Sequence, residues 1–325
     1  MNPKISIVIP IKNAAGWLDK LIESLLSQTL AGSSEIILID SGSEDNSVEI
    51  IKGYPEITLI QIDPQLFNHG ATRNLGISKA KGEFVVFTVQ DALPVDNLWL
   101  QNLSDGFVNE KIAAVCGKQI VLHDLDKNPV QWHRPVAKPI TRVYQFKKFN
   151  DFNILSPENK KEICSWDNVN AIYRREILLK LPFFNTPFAE DALWAKNAIE
   201  AGIAVAYNPA AVVSHYHHEN FNFTYSRTLV EVFYMYKIFK KMPDIKRYNL
   251  KYYLQITKLL LFETKVPPFK KLKWFNHNYK QTVATKKAMC FFMNKYNEGA
   301  NALLELEREI SKTVPQGNGA LNSKK

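Results

Sequence analysis

Two rhythms of apolar residues alternate along the first ninety positions. Unbroken runs at 5–10, 35–40, 57–62 and 84–89 are rich in Ile, Val and Phe, the composition of strands buried on both faces. Between them, 13–30 sets Trp17, Leu18, Leu21, Ile22, Leu25 and Leu26 at helical spacing. A second helix is predicted over 45–52, with Asp and Asn near its start. Strand, helix, strand, helix, strand in units this short predicts an α/β fold with a mostly parallel central sheet. Pro10 closes the first strand, and the second ends in Asp40 before the turn Ser41-Gly42-Ser43. The fourth run ends in Gln90-Asp91-Ala92-Leu93-Pro94. An Asp at the carboxyl end of a buried strand stands where open α/β sheets bind ligands, and it suits a divalent metal held against phosphates. The same residue type also caps turns.

Further along, the pattern loosens. Residues 127–159 carry Pro129, Pro135, Pro139 and Pro157 and predict a long, mobile connection. Order returns at Ser165-Trp166-Asp167-Asn168-Val169-Asn170-Ala171, and Glu190-Asp191 opens a helix over 192–201 closed by Gly202. Acidic residues at a helix start have an ordinary role as caps and dipole partners. Past residue 219 the chain turns helical, over 225–242, 252–261 and, after a basic aromatic linker at 265–274, a long helix over 276–312. A disordered tail is expected from about residue 315. The expected domains are therefore 1–219 and 220–325.

Charge sharpens that boundary. Residues 220–325 hold 20 Lys and Arg against 7 Asp and Glu, while 1–219 hold 21 against 25. At 46% hydrophobic and 22% charged, the 325 residues read as globular, not disordered. Cys116, Cys164 and Cys290 are too far apart for a zinc pattern or a disulfide framework, which predicts a reducing compartment. The N-terminal run has no basic leader or small-residue cleavage site, and no apolar stretch reaches the roughly 20 residues of a membrane span. A soluble or peripheral protein is expected. Basic residues interleaved with large apolar ones suit an anionic membrane surface. Nucleic acid is the competing partner, and a helical add-on packing on the catalytic domain or a second copy is the plainer alternative.

The first turn, Pro10-Ile11-Lys12-Asn13, lacks the glycines of a dinucleotide fold, and there is no P-loop. What the residues do resemble is the inverting glycosyltransferases of family 2. The resemblance is carried by Ser6-Ile7-Val8-Ile9-Pro10, by Ile39-Asp40-Ser41-Gly42-Ser43-Glu44-Asp45 and by the Asp91 strand end. Phe67-Asn68-His69-Gly70-Ala71-Thr72-Arg73-Asn74-Leu75-Gly76 followed by Thr88-Val89-Gln90-Asp91-Ala92 is similar to the bacterial rhamnosyltransferase branch. The match continues through Phe188-Ala189-Glu190-Asp191 and Tyr207-Asn208-Pro209-Ala210-Ala211-Val212-Val213-Ser214-His215, so it covers roughly residues 4–219.

The resemblance implies a Rossmann-like GT-A domain that binds a nucleotide diphospho-sugar, followed by an α-helical region. It implies a nucleotide-sugar site at Pro10, Asn13, Asp40 and the turn at Gly42. Asp40 would accept the N3–H of uracil or thymine, or would simply cap its turn. The helix after Asn68 would turn free N–H groups toward an anion, and Arg73 would reach the diphosphate or sit in a surface ion pair. Asp91 would hold Mg²⁺ or Mn²⁺, with His215 as a second ligand and His217 and His218 close behind. Gln90 stands where the family often has another carboxylate. Asp191 would be the general base, with Glu190 orienting it or touching the acceptor. Trp166 would stack on a sugar or lie in the core, beside Asp167 or Asn168 as hydrogen-bonding groups. The implied donor is dTDP-β-L-rhamnose, or a UDP-sugar. The acceptor is a glycan or lipid-linked hydroxyl at the cytoplasmic face of the membrane, in bacterial surface polysaccharide synthesis. Nucleic acid has no place in that reading, and the C-terminal helices are a candidate self-association surface. A nucleotide-sugar-binding assembly partner without catalysis is the remaining alternative.

Overall fold

The computed structural model describes residues 3–133, 140–146 and 149–312. Their contacts divide the chain into two units, Met1–Ile120 with Ala137–His215, and Val121–Val136 with Tyr216–Lys325.

The first unit is built on one mixed sheet. Its strands are β1 (Ile5–Ile11), β2 (Ser34–Asp40), β3 (Ile57–Gln61), β4 (Phe84–Phe87), β5 (Ala92–Pro94), β6 (Ile112–Ile120), β7 (Arg142–Tyr144), β8 (Ala171–Arg174) and β9 (Ala204–His215). The order is β3-β2-β1-β4-β8-β6-β9-β5, with β7 paired to β9. The expected parallel set, β3 to β4, forms one side of the sheet. Beyond it β8 runs antiparallel to both β4 and β6, while β9 lies parallel to β6. Burial follows composition, since β4 is buried at every position and β1 at all but Pro10.

Pro10 does not end its strand. Ser41 N–H bonds Ile11 O at 3.0 Å, so Ile11 faces β2 and, by strand alternation, Pro10 faces the β4 side. There β1 pairs with β4 only up to Val8↔Phe87, so no ladder bond is lost to the missing N–H. The first helix is also shorter than its spacing predicts, Ala15–Leu26. It buries Leu18, Leu21, Ile22 and Leu25, while Trp17 is half-buried and Leu26 exposed. In the stretch expected to be irregular, the described residues form helices Pro129–Trp132, Phe149–Asn153 and Pro157–Ile163 and strand β7. Pro129 and Pro157 each sit at a first helical position behind an Asn or Ser cap, where proline initiates helices.

The second unit is helical over Phe221–Phe239, Leu250–Phe262, Pro268–Glu298 and Ala300–Lys312, with Val121, Trp132, Ile256, Leu260, Val266 and Trp274 in one core cluster. Two expectations change here. Most of the basic linker at 265–274 is the first turns of a helix, started by Pro268. The long final helix is interrupted at Gly299, whose φ of 104° is one that glycine tolerates. The tail from Pro315 lies outside the described residues. All three cysteines are free thiols, Cys116 and Cys164 buried and Cys290 exposed.

Candidate active site

Two loops lock together at the carboxyl ends of β1 and β2. Asp40 is fully buried, and its carboxylate accepts from Gly42 N–H at 3.2 Å, from Ser43 N–H, and from Ser43 Oγ at 2.5 Å. Ser43 Oγ in turn accepts Asn13 N–H at 2.8 Å, and Asn13 Oδ1 accepts Glu44 N–H at 2.8 Å. Asn13 takes a left-handed φ of 51°, one that Asn tolerates better than most residues. Asp40 therefore works as the turn cap. Gln90 has a similar duty. Its amide accepts Lys12 N–H at 2.8 Å and donates to Lys12 O at 3.0 Å, a double role that a carboxylate could not fill.

At the helix that begins with His69, the N–H groups of Gly70 and Ala71 are already taken. Asn68 caps the helix His69–Lys79 by accepting from Gly70 and Ala71 N–H. A Cβ at Gly70 would fall 2.0 Å from Phe184 O, so the small residue serves a close backbone approach. Asn74 exchanges two bonds with Phe183, at 2.8 and 3.1 Å. The helix thus holds the loop that leads into Glu190.

Arg73 is buried and points the same way. Its NH1 lies 2.7 Å from Glu190 Oε1, an ion pair well inside the protein, so it neither reaches for a diphosphate nor pairs at the surface. Burial works to raise the Glu190 pKa, but the Arg73 guanidinium, His69 and the Asn168 amide outweigh it and hold the carboxyl below its ordinary value. Glu190 is locked in an orienting place by Arg73 and by Asn168 Nδ2 at 3.3 Å. Trp166 is core. Its Nε1 donates to Tyr173 OH at 2.6 Å, and Tyr173 OH donates to Asn168 Oδ1 at 2.5 Å.

Asp191 differs from its neighbour. Ala189 just before the helix Glu190–Glu200 has φ 59°, the left-handed region, which for alanine costs about 1–2 kcal/mol. That turn sets Asp191 with Oδ1 on Ala192 N–H at 2.7 Å and Oδ2 on Asn168 N–H at 3.3 Å. Burial, then the charges of Glu190 and Asp167, push its pKa up to about 8. The Ala192 N–H and Arg73 work to lower it, but they do not outweigh the rest of its surroundings.

Asp91 lies in the turn between β4 and β5, and β5 pairs antiparallel with β9 so that Ala92 stands opposite His215. His215 Nε2 is 3.5 Å from Asp91 Oδ1. Its Nδ1 is 2.8 Å from Gln119 Oε1, and Gln119 Nε2 donates to Asp167 Oδ2. An amide oxygen can only accept, so this bond selects the Nδ1–H tautomer and turns the Nε2 lone pair toward Asp91. The donor set, one carboxylate and one imidazole held by a second polar group, fits a divalent metal. Imidazole favours Mn²⁺ over the harder Mg²⁺. His217 follows two residues on, where the chain enters the second unit. Gln119 belongs to no motif in the sequence, and it is the β6–β9 register, Gln119↔Val213, that brings it beside His215.

Residues 6–181 match the family model for glycosyl transferase family 2. The chain is 34% identical over 219 residues to the O-antigen chain rhamnosyltransferase RfbN of Salmonella typhimurium, covering 66% of this chain and 67% of that one. It is also 34% identical over 220 residues, with the same coverage, to the O-antigen chain rhamnosyltransferase WbaN of Salmonella anatum. Among solved structures, Staphylococcus aureus TarS 1–349 in complex with UDP-GlcNAc superposes with a TM-score of 0.52 at 14% identity, over 90% of this chain and 92% of that one. The mannosyltransferase PcManGT from Pyrobaculum calidifontis, in complex with GDP-Man and Mn²⁺, gives 0.51 at 16% identity, over 97% and 82%. The fold is GT-A. With over half its length matched by the family model and two rhamnosyltransferase relatives across two thirds of it, the chain belongs to glycosyltransferase family 2.

Proposed function

We propose that this glycosyltransferase moves L-rhamnose, with inversion, from dTDP-β-L-rhamnose to a hydroxyl of a glycan or lipid-linked acceptor, in bacterial surface polysaccharide synthesis. The observation that carries the mechanism is Asp191. Its carboxyl, raised to about 8, is a strong base in the ionised fraction, which grows as pH rises through 8. The acceptor oxygen bonds to the anomeric carbon from the face opposite the leaving group, and its proton passes to Asp191. The anomeric C–O bond breaks as this happens, and the nucleoside diphosphate leaves with the electron pair. Glu190, held by Arg73, keeps a negative charge beside Asp191 and so sustains its basicity. A divalent metal, when bound by Asp91 and His215, supplies positive charge against the leaving diphosphate.

The rhamnosyl donor is supported by the two relatives, whose names give O-antigen rhamnosyl transfer. A UDP-sugar is the second reading, supported by TarS, whose structure holds UDP-GlcNAc on a similar fold. A lipid-linked acceptor places the enzyme at the cytoplasmic membrane face, and no helix among the described residues is long and apolar enough to cross a membrane. Thermal shift with Mn²⁺ and a panel of nucleotides, followed by donor turnover, tests the assignment. dTDP and dTDP-rhamnose should stabilise most, and GDP and ADP least. Equal stabilisation by GDP would overturn the pyrimidine donor, and preferred turnover of a UDP-sugar would move the enzyme to the second reading.

A further inference from the structure

The helix Leu250–Phe262 in the second unit has two apolar faces. Ile256 and Leu260 lie buried in the core cluster. Leu250, Leu254 and Leu261 fall within about 40° of one another on a separate stripe, at the usual helical advance per residue, and all three are exposed. After the turn, Leu272, Phe275 and Tyr279 recur at i, i+3, i+7 on the helix Pro268–Glu298, again exposed while Trp274 and Asn278 are buried. Lys271 Nζ donates to Leu261 O at 2.7 Å, so the end of one helix and the start of the next form a single tip. At that tip Leu261 is 63% exposed, and Phe262, Phe269 and Leu272 are each 74% exposed. Four large apolar side chains so far in water, at one turn, mark an interaction surface.

Charge identifies the partner. Residues 246–280 contain nine Lys and Arg and a single acid, Glu263, which is half-buried and lies 3.0 Å from His133. Lys251, Lys258, Lys265 and Lys273 are exposed among the apolar residues. Pairing this face with a second copy would set like charge against like charge. An anionic lipid surface supplies both the apolar interior and the negative headgroups.

We infer that the Leu250–Tyr279 helical hairpin docks on an anionic membrane, with Leu261, Phe262, Phe269 and Leu272 entering the headgroup–acyl boundary and the lysines gripping the headgroups. This gives the membrane-face working place of the proposed function a specific surface, but it stands on the second unit alone.

Co-sedimentation of the full chain with vesicles tests it, comparing phosphatidylcholine alone with phosphatidylcholine plus phosphatidylglycerol. The anionic vesicles should bind about tenfold or more tightly than the neutral ones, and less so as salt rises. Changing Leu261, Phe262, Phe269 and Leu272 together to Ser should lower that binding by about tenfold or more, with melting temperature and donor hydrolysis unchanged. Changing Lys258, Lys265 and Lys273 to Gln should weaken binding to the anionic vesicles only. Unchanged binding by the serine variant, or equal binding to both vesicle types, overturns the inference. A concentration-dependent dimer that the serine variant abolishes, with no vesicle binding, overturns it in favour of a face between copies. Hydrolysis without vesicle binding sinks this surface alone, whereas vesicle binding without hydrolysis sinks only the transferase reading.

Discussion

Asp40 ends a strand and Asp191 stands in the first turn of a helix, both in the first unit, yet their surroundings assign them opposite work. Around Asp40 donors converge: two backbone N–H groups and a hydroxyl share its oxygens, and Ser43 passes the order on to Asn13. Nearby Asp45 repeats the pattern. Burial would raise its pKa, but the Ser47 hydroxyl and the Ala15 and Ser47 N–H groups bring it below the ordinary value. Around Asp191 it is negative charge that converges, from Glu190 and Asp167, and the buried Arg73 guanidinium, bonded to Glu190, offsets only part of it. A carboxylate surrounded by donors builds structure. One surrounded by carboxylates in a partly dry site is left wanting a proton, which is what a general base needs.

The largest break in this contrast comes from Asp191→Asn. Transfer should fall by about 10²-fold or more, with donor affinity near that of the unaltered enzyme. The variant should also be the more stable protein at high pH. A carboxyl whose folded pKa is raised to about 8 binds its proton above pH 4 only in the folded chain. Its stabilising contribution is therefore present at low pH and lost as pH rises through 8. The two proteins should melt alike below about pH 4, and the Asn variant should pull ahead as pH rises and melt clearly higher at about pH 9. Unaltered transfer should speed up through the same range and then level off. An Asn variant that transfers at the normal rate would leave Glu190-Asp191 as an ordinary helix start.

Next in size is Arg73→Met, which strands Glu190 as an unpaired buried charge and should cost about 3–5 kcal/mol in urea unfolding. Adding Glu190→Leu should recover much of that loss. A cost under about 1 kcal/mol for the single change would return Arg73 to the class of surface pairs.

Gln119→Leu probes the same site from the metal side. Without the amide to fix the tautomer of His215, Mn²⁺ affinity measured by titration calorimetry should fall by about 10–100-fold. Retained affinity would show that Asp91 and His215 need no support. The smallest effect belongs to Asp40→Asn. It keeps one acceptor oxygen for the turn and should cost about 1 kcal/mol or less. Pyrimidine preference should persist, since Asp40 shapes the turn; its disappearance with the turn intact would restore a direct contact with the base.

Much of the architecture can be read from local pattern. Runs of Ile, Val and Phe at 5–10, 35–40 and 84–89 permit little but buried strands, and the short helices between them force parallel crossovers. The charge of the C-terminal third is likewise a matter of counting. Its helical character is legible too, though 265–274 reads as a linker where the structure has the first turns of a helix. The ordered motifs were enough to single out Glu190-Asp191, Asp91 and His215 and to name the family.

Partnership was not legible. Arg73 and Glu190 are 117 positions apart, and an arginine in a helix near a strand end reads as well for a phosphate as for a carboxylate. Trp166 has a ligand role and a structural one that fit the sequence equally, whereas the resemblance favours a ligand role for Asp40; the structure shows Trp166 bonded in the core and Asp40 bonded to its own turn. The excursion of Val121–Val136 into the second unit has no mark in composition. Strand and helix formation depend on side chains a few positions apart, so the chain states them openly. A pKa, a tautomer or a metal pair depends on which charges lie within a few ångströms once water is gone. For Asp191, His215 and Gln119 that was decided by the pairing of β9 with β5 and β6 and by the left-handed turn at Ala189.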